Sequence, residues 1–408
     1  MRGALAKIYP QDFAKSAEDP DVATSAVGPL VRRGASRSSD AEVAVAELYE
    51  AIYHPSAKLY VFYCSARYDL AALETAFASH FGAAPLVGCT TAGEITPVGY
   101  LDGAITGVSI GGDGFEAASA RIDLSHFEFA HGDRAAQEVL GKLGGAPLSG
   151  DNGFGFLLVD GMSMQEEALV ASIYRNLGGI QLFGGSAGDG TKFSTTYVYH
   201  EGKFRSACAV FTLVRTGFPF VVFKTEHFVP STEKMVVTGA DPARRLVTEI
   251  NGEPAGREYA RVVGLDVDEL SPMTFATHPV VIKIGGTVCV RSIQKVNDDE
   301  SLTFFCAIDE GIVLTVGKSV DLVQNLEDTF RAVHEKIGEP SVILGCDCIL
   351  RALEARRAGS RERIGALMAE NRVVGFATYG EQFNGMHVNQ TFTGVAIGSR
   401  RETVSGEP

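Results

Sequence analysis

The 408-residue chain has no tryptophan, and aromatics make up only 9% of it. That argues against an indole-lined sugar site. No apolar run approaches the roughly 18 residues needed to cross a bilayer. Met1–Asp19 lacks an apolar stretch between a basic start and a cleavage site, so a cytoplasmic protein is expected. Basic residues are in deficit: 36 Lys and Arg against 50 Asp and Glu give a formal charge of −14. This balance opposes non-specific nucleic-acid binding and attraction to anionic membranes. The cysteines, Cys64, Cys89, Cys208, Cys289, Cys306, Cys346 and Cys348, are odd in number and scattered. They read as free structural thiols in a reducing compartment. Cys346-Asp347-Cys348 is their one close pair, and a single C-x-C without a second pair does not make a metal site. Catalytic signatures are missing too: there is no G-x-S-x-G elbow, no H-E-x-x-H and no S-x-x-K followed by K-T-G. The expectation is that the chain is not an enzyme. The absence of C-x-x-C-H excludes covalent c-type haem.

What is present is a repeat. Gly88–Gly111 reads GCTTAGEITPVGYLDGAITGVSIG, and Gly375–Gly398, 375 − 88 = 287 residues later, reads GFATYGEQFNGMHVNQTFTGVAIG. Gly88, Thr91, Gly93, Glu94, Thr106, Gly107, Val108, Ile110 and Gly111 recur at the matching positions without a gap. A self-similarity of this kind organises the fold before any other signal. Ser186-Ala187-Gly188-Asp189 is a partial third copy of Thr91-Ala92-Gly93-Glu94 and Thr378-Tyr379-Gly380-Glu381. Each copy follows a strand–helix–strand pattern and is followed by a β run. The turn glycines suit positive φ, so Gly93 and Gly380 are predicted to share a conformation closed to most residues. The acids beside them, Glu94, Asp189 and Glu381, read first as acceptors of freed backbone N–H groups.

The fold class predicted is mixed α/β: two related domains with mixed sheets flanked by helices, built on a strand–helix–strand–Gly–acid–strand unit. The boundaries read as an N-terminal extension at 1–38, a first domain at 39–218, a second at 219–400 and a polar tail at 401–408. The extension, ending in Arg32-Arg33-Gly34-Ala35-Ser36-Arg37-Ser38, reads as a solvated linker. Ala41–Ile52 reads as a helix capped by Ser39 or Asp40, Pro242–Ile250 as a short helix, and Val320–Ile337 as the longest helix. The glycines at 178, 179, 184, 185, 188 and 190 read as turn chemistry, lacking P-loop or GxGxxG spacing.

Of the nine histidines, His387 stands apart, because the first copy has Tyr100 in its place. A ligand-capable ring has been gained on a scaffold that does not require one. On the residues alone, a hydrogen-bonded loop histidine is an equal reading. Non-covalent haem would need an apolar slot, an axial ligand and polar groups for the propionates. Phe383, Met386, His387, Val388 and Phe392 permit it without demanding it. Glu381 or Asn389 is near enough in sequence to fix the ring, and His227 and His278 are reserve ligands. Cys346, Glu381 and His387 are the least implausible centre for an enzyme, with Cys346 expected to be buried and inert.

These residues resemble the FIST family of bacterial sensory proteins, which have an N-terminal and a C-terminal FIST domain. The match rests on Val87–Glu94, on Phe183–Asp189, on Asn251–Ala255 with Tyr259, and on Tyr379–Glu381 with His387–Thr391. It covers roughly residues 25–400. Within the family the chain is similar to stand-alone nitric-oxide-sensing haemoproteins. That similarity implies non-covalent haem b, with nitric oxide as signal; His387 is the axial ligand expected from its position and apolar surroundings. It also implies a partner: a sensor histidine kinase or a cyclic-di-GMP cyclase or phosphodiesterase. A homodimer is compatible with it. The alternative is a haem-free receptor for a small, amino-acid-like molecule bound between the two domains.

Overall fold

The computed structural model describes residues 28–144, 147–284 and 287–399. The unit that recurs in sequence, twice in full and once in part, is built three times. The first comprises β1 (Leu30–Ser36), α1 (Ala41–Ile52), β2 (Ala57–Ser65), α2 (Leu70–Phe81), β3 (Leu86–Thr91), the hairpin β4 (Glu94–Thr96)/β5 (Gly99–Leu101), and β6 (Ile105–Gly111). The second comprises β7 (Phe115–Asp123), α3 (Phe129–Leu143), β8 (Gly153–Val159), α4 (Glu166–Tyr174), β9 (Gln181–Ser186), the hairpin β10 (Val198–His200)/β11 (Lys203–Arg205), and β12 (Cys208–Thr216). The third opens with β13 (Phe220–Thr225) and is interrupted at once by an insert. The insert holds β14 (Phe228–Asp241), β15 (Leu246–Ile250), β16 (Glu253–Pro254), α5 (Ala255–Val263), α6 (Pro272–Thr277), β17 (Val280–Ile284), β18 (Thr287–Arg291), β19 (Ile293–Val296), β20 (Leu302–Phe304) and β21 (Val313–Ser319). The unit resumes with α7 (Leu322–Ile337), β22 (Pro340–Cys348), α8 (Ile349–Arg357), α9 (Arg361–Glu370), β23 (Val373–Thr378), the hairpin β24 (Glu381–Phe383)/β25 (Met386–Val388), and β26 (Phe392–Gly398).

Each unit forms a six-stranded sheet in one order: its first strand, its last, its second, its third, then a hairpin borrowed from a neighbour. The second unit's hairpin extends the first sheet at β3, the third unit's extends the second at β9, and the first unit's extends the third at β23. The exchange closes a ring. In every sheet only the second and third strands run parallel. The insert is a separate eight-stranded antiparallel sheet, in the order β18-β17-β21-β14-β15-β20-β19 with β16 on β15.

The central strands read as unbroken apolar runs because both their faces are covered. Phe154, Phe156 and Leu158 of β8 point into a core shared by all three sheets, while Leu157 and Val159 pack beneath α3 and α4. In β2, Leu59, Val61 and Tyr63 join the shared core and Tyr60, Phe62 and Cys64 face α1 and α2. The period of two thus sorts one strand between two cores. Helix α1 buries Ala41, Ala44, Val45, Leu48 and Ile52 along one stripe and is capped by Asp40, whose carboxylate accepts the Val43 N–H at 3.0 Å. Burying Leu48 and Ile52 stabilises it by about 1.5–3 kcal/mol each. The insert has its own core around Met235, Val247, Tyr259, Phe275 and Leu302.

Several expectations are corrected. The segment before Ser38 is not all linker: Leu30–Ser36 is a strand paired antiparallel with β6, and residues 1–27, like 400–408, lie outside the described residues. Pro242–Ile250 is not a helix; one 3-10 turn at Pro242–Arg244 gives way to β15. The β-branched Val247, Thr248 and Ile250 fit the insert's sheet better than a helix turn. Gly93 and Gly380 do not share a conformation. Gly93 has φ +152°, whereas Gly380 is not among the positive-φ residues. Gly380 is small for another reason: a Cβ there would lie 2.3 Å from His387 Cε1.

Candidate functional site

The parallel strand pairs of the three units end close together, and the hydroxyl–x–Gly–acid turns meet there. Their backbones hydrogen-bond from unit to unit: Ala92 N–H to Ala377 O (3.0 Å), Tyr379 N–H to Ser186 O (3.1 Å) and Gly188 N–H to Thr90 O (3.0 Å). Carboxyl ends of parallel strands are where α/β sheets most often bind ligands. The acids serve the turns themselves. Glu94 accepts the Thr91 hydroxyl and the Ala104 N–H, the latter at 2.9 Å. Glu381 accepts the Thr378 hydroxyl, the Thr391 N–H (3.1 Å) and the Thr391 hydroxyl (2.6 Å). Asp189 accepts the N–H groups of Phe193, Ser194 and Thr195 at 2.9–3.1 Å and the hydroxyl of Tyr379. Burial pushes Glu94 up to about 7 and Glu381 up to about 8, against hydrogen bonds that pull both down.

The insert covers this end of the ring. A small apolar patch joins them, with Phe305 and Ala276 of the insert against Ile349, Leu350 and Tyr379. The rest of the junction is polar. His387 on β25 stands opposite Gln382 on β24. Its Nδ1 lies 3.4 Å from Gln382 Nε2, and its Nε2 lies 3.3 Å from the carbonyl oxygen of Phe305. An amide NH2 and a carbonyl on opposite sides of the ring place the imidazole proton on Nε2. Gln382 Nε2 also donates to Ser186 Oγ at 3.0 Å. The Phe305 carbonyl takes a second donor, Arg245 Nη1, at 2.6 Å. Arg245 is buried and pairs with Glu166 (2.6 Å) and Glu167 (2.5 Å) on α4. Burial pushes the Glu167 carboxyl up, but His387, Arg245 and the Ala307 N–H outweigh it and hold it below its ordinary value. Asn389 accepts from the Ser292 N–H at a long 3.5 Å, and Gln390 donates to the Phe275 and Ala276 carbonyls at 3.2 and 3.4 Å.

This group is not satisfied internally. Gln382 Oε1, Asn389 Nδ2, Gln390 Oε1, Ser292 Oγ and Arg291 Nε have no partner, yet Gln382, Gln390 and Ser292 are 0% exposed and Asn389 is 1%. A buried polar atom without a partner costs about 1–3 kcal/mol. Several at one junction point to a molecule that supplies the missing bonds.

Of the residues singled out from sequence, His387 and Asn389 lie in this group, and Glu381 lies behind it. The group that faces the His387 ring is neither Glu381 nor Asn389 acting alone; Gln382 and the Phe305 carbonyl hold it. Met386 is 43% exposed and points away. Phe383 is half-buried beside the Lys224 ammonium, 5.8 Å from the ring centre. His278 ends α6, with Nδ1 3.0 Å from Thr277 Oγ1. His227 is buried elsewhere, on Glu354 and Arg351. Gln382, Gln390, Ser292 and Arg245 were not anticipated. The repeat carried a signal for Gln382: the first copy has Ile95 at that buried hairpin position, and a polar group there has no structural need. Arg245 reaches across 79 residues to Glu166, and no local pattern announces it.

The arrangement does not fit haem. An axial ligand needs a bare imidazole nitrogen facing an open slot. Here the Phe305 carbonyl lies at Nε2, and the ring rests on Gly380. Among the described residues no three His, Cys, Asp or Glu side chains are grouped to hold a metal ion. Cys346 lies in the shared core, and burial raises its thiol well above the ordinary range, so it is no nucleophile.

Comparison with known families gives a FIST N domain over residues 58–253 and a FIST C domain over residues 255–384. No curated protein matches the chain. Among solved structures, cyanuric acid hydrolase from A. caulinodans aligns with 91% of this chain and 100% of its own, at 8% identity and a TM-score of 0.40. A likeness that low carries no functional argument. No helix among the described residues is long and apolar enough to cross a membrane.

Proposed function

This chain belongs to the FIST family, whose paired domains imply a sensory, ligand-binding signalling role, and we propose that it is a haem-free receptor for a small amino-acid-like molecule. The ligand sits between the insert and the ring of three units, on His387, Gln382, Asn389, Gln390 and Ser292. One observation carries this reading: the buried hydrogen-bonding atoms there that find no protein partner. They include amide N–H and guanidinium donors as well as amide oxygen acceptors. A molecule with both a carboxylate and an ammonium or amide group would satisfy both kinds. Occupancy is passed to a partner signalling protein, such as a sensor histidine kinase or a cyclic-di-GMP enzyme, by contact, and the receptor itself does no chemistry.

Calorimetry against a panel of amino acids and short amides tests this. At least one should bind, and Gln382→Leu should abolish that binding while leaving the fold intact by circular dichroism. Binding that survives both Gln382→Leu and Asn389→Leu would move the site elsewhere. The haem-dependent, nitric-oxide-sensing reading requires the insert to lift off His387. Protein expressed with haem supplied should show no Soret band; a band lost in His387→Ala would restore that reading.

A further inference from the structure

The insert joins the ring by two crossings placed side by side: Glu226-His227 leading in and Ser319-Val320 leading out. The Val320 N–H donates to the His227 carbonyl at 2.8 Å, and Phe228 stands opposite Ser319 in register. Both crossings are fastened to one carboxylate on α8. Glu354 Oε2 lies 2.7 Å from His227 Nε2, and Glu354 Oε1 accepts the Ser319 hydroxyl at 2.6 Å.

On its other side, His227 Nδ1 lies 2.9 Å from Arg351 Nη1. A guanidinium can only donate, so Nδ1 must be the bare nitrogen and Nε2 must carry the proton toward Glu354. Arg351 cannot turn aside. Its Nε is held by Asp347 Oδ1 at 2.7 Å, and the Tyr100 hydroxyl holds the other oxygen of that carboxylate. A second proton on His227 would therefore point an N–H at an N–H in a site where the ring is fully buried. The charged groups facing the ring are Arg351 and Glu354 on α8, with Asp347 on β22 behind Arg351. Next in the chain, Glu226 is neutralised by Lys224. Phe228, whose ring is tilted at 47° with its centre 4.1 Å away, and Ser319 are neutral. Burial, followed by Arg351, lowers the affinity of His227 for that proton, and Glu354 offsets them only in part.

The insert has a core of its own; besides the Arg245 ion pairs to Glu166 and Glu167 and the patch at Phe305 and Ala276, the surface it lays on the ring is polar and leaves five atoms unpaired. We infer that His227 is a proton-operated latch: protonation breaks its fit between Arg351 and Glu354, frees the two crossings, and lets the insert rise from the polar group beneath it. The inference rests on the ligand reading only in naming that group as the site so regulated; the latch itself is independent of what binds there.

The test is a distance between labels on Glu50→Cys, exposed on α1, and Asp268→Cys, exposed on the insert. The native cysteines are buried, so these positions label selectively. Without any ligand, the distribution should be single at about pH 7.5 and should gain a displaced population at about pH 5, below the ordinary histidine range. His227→Gln can still accept from Arg351 and does not titrate; it should keep the single distance at both pH values. Imidazole NMR of the protein with native His227 supplies a second reading, because the displacement and the protonation of His227 must share a midpoint. A wild-type distance that does not change with the fold intact, a shift that persists in His227→Gln, or a midpoint apart from that of His227 each overturns the latch. Failure of every amino acid in calorimetry would sink the ligand reading and leave these distances untouched.

Discussion

Glu381 shows how one residue type can serve the fold and still confer pH sensitivity. Its carboxyl is fully buried on three donors, two from Thr391 and one from Thr378, yet burial outweighs them and raises it to about 8. An unfolded glutamate releases its proton near 4.3. Between those values the folded chain holds a proton that the unfolded chain has lost, so stability is greatest at acid pH and declines as pH rises toward 8. Glu94 adds a smaller slope of the same sign, ending near 7. The unfolding free energy from urea titration is expected to fall from pH 5 to pH 9 by an amount on the order of a few kcal/mol, and Glu381→Gln should flatten most of that slope. A free energy that rises over this range would show that Glu381 is ionised in the folded protein. At the neighbouring position, Gly380 is decided by a contact rather than by φ, since the His387 ring occupies the space of a side chain.

At the scale of elements, the hairpins carry the design. The same two-stranded piece appears at β4–β5, β10–β11 and β24–β25, and each time it leaves its own unit to complete a neighbour's sheet. Tyr100 at the first hairpin and His387 at the third hold equivalent positions, opposite Ile95 and Gln382. Tyr100 spends its hydroxyl on Asp347 of the third unit, a structural bond across the ring. His387 faces the insert instead. Tyr100→Phe should destabilise by about 1–3 kcal/mol in thermal or urea unfolding, because Asp347 loses a donor at a buried site. An unchanged stability would mean that water replaces the hydroxyl. Helix α1 was legible in sequence because a cap and an apolar stripe mark it. Strand β1 was not, since Arg32 and Arg33 gave it the look of a solvated arm; its position beside β6 is a fact about the partner strand.

For the whole molecule, ring closure and the insert predict two levels of stability. Each sheet of the ring contains strands from two units, so no unit can leave without breaking another's edge. The insert is joined to the ring by two adjacent crossings and meets it through a small apolar patch and a set of polar groups. In hydrogen exchange, amides of β8, β9, β22 and β23 are expected to open only with global unfolding, and those of β14, β15 and β21 to open earlier as one group. Exchange of β9 together with the insert strands would contradict the closed ring.

The repeat fixed the class of this protein in advance. Gly–acid turns recurring with strand–helix–strand patterns specify mixed α/β layers, and local chemistry suffices to specify them: period-two and helical stripes, a cap at Asp40, and turn glycines. Only tertiary structure decided that the three units exchange hairpins and close into a ring. The second copy retains little more than Ser186–Asp189, and its place is set by hydrogen bonds to Thr90 and Gly380 far away in the chain. Tertiary structure also decided the site. His387 could be noticed because it departs from its counterpart Tyr100, and Asn389 because it lies beside it in sequence, but Ser292, Arg245 and the Phe305 carbonyl come from an insert whose folding brings them there. A local pattern records what a residue does for its own turn or stripe. It does not record which distant backbone oxygen an imidazole will meet, because that distance is the sum of every packing contact between them.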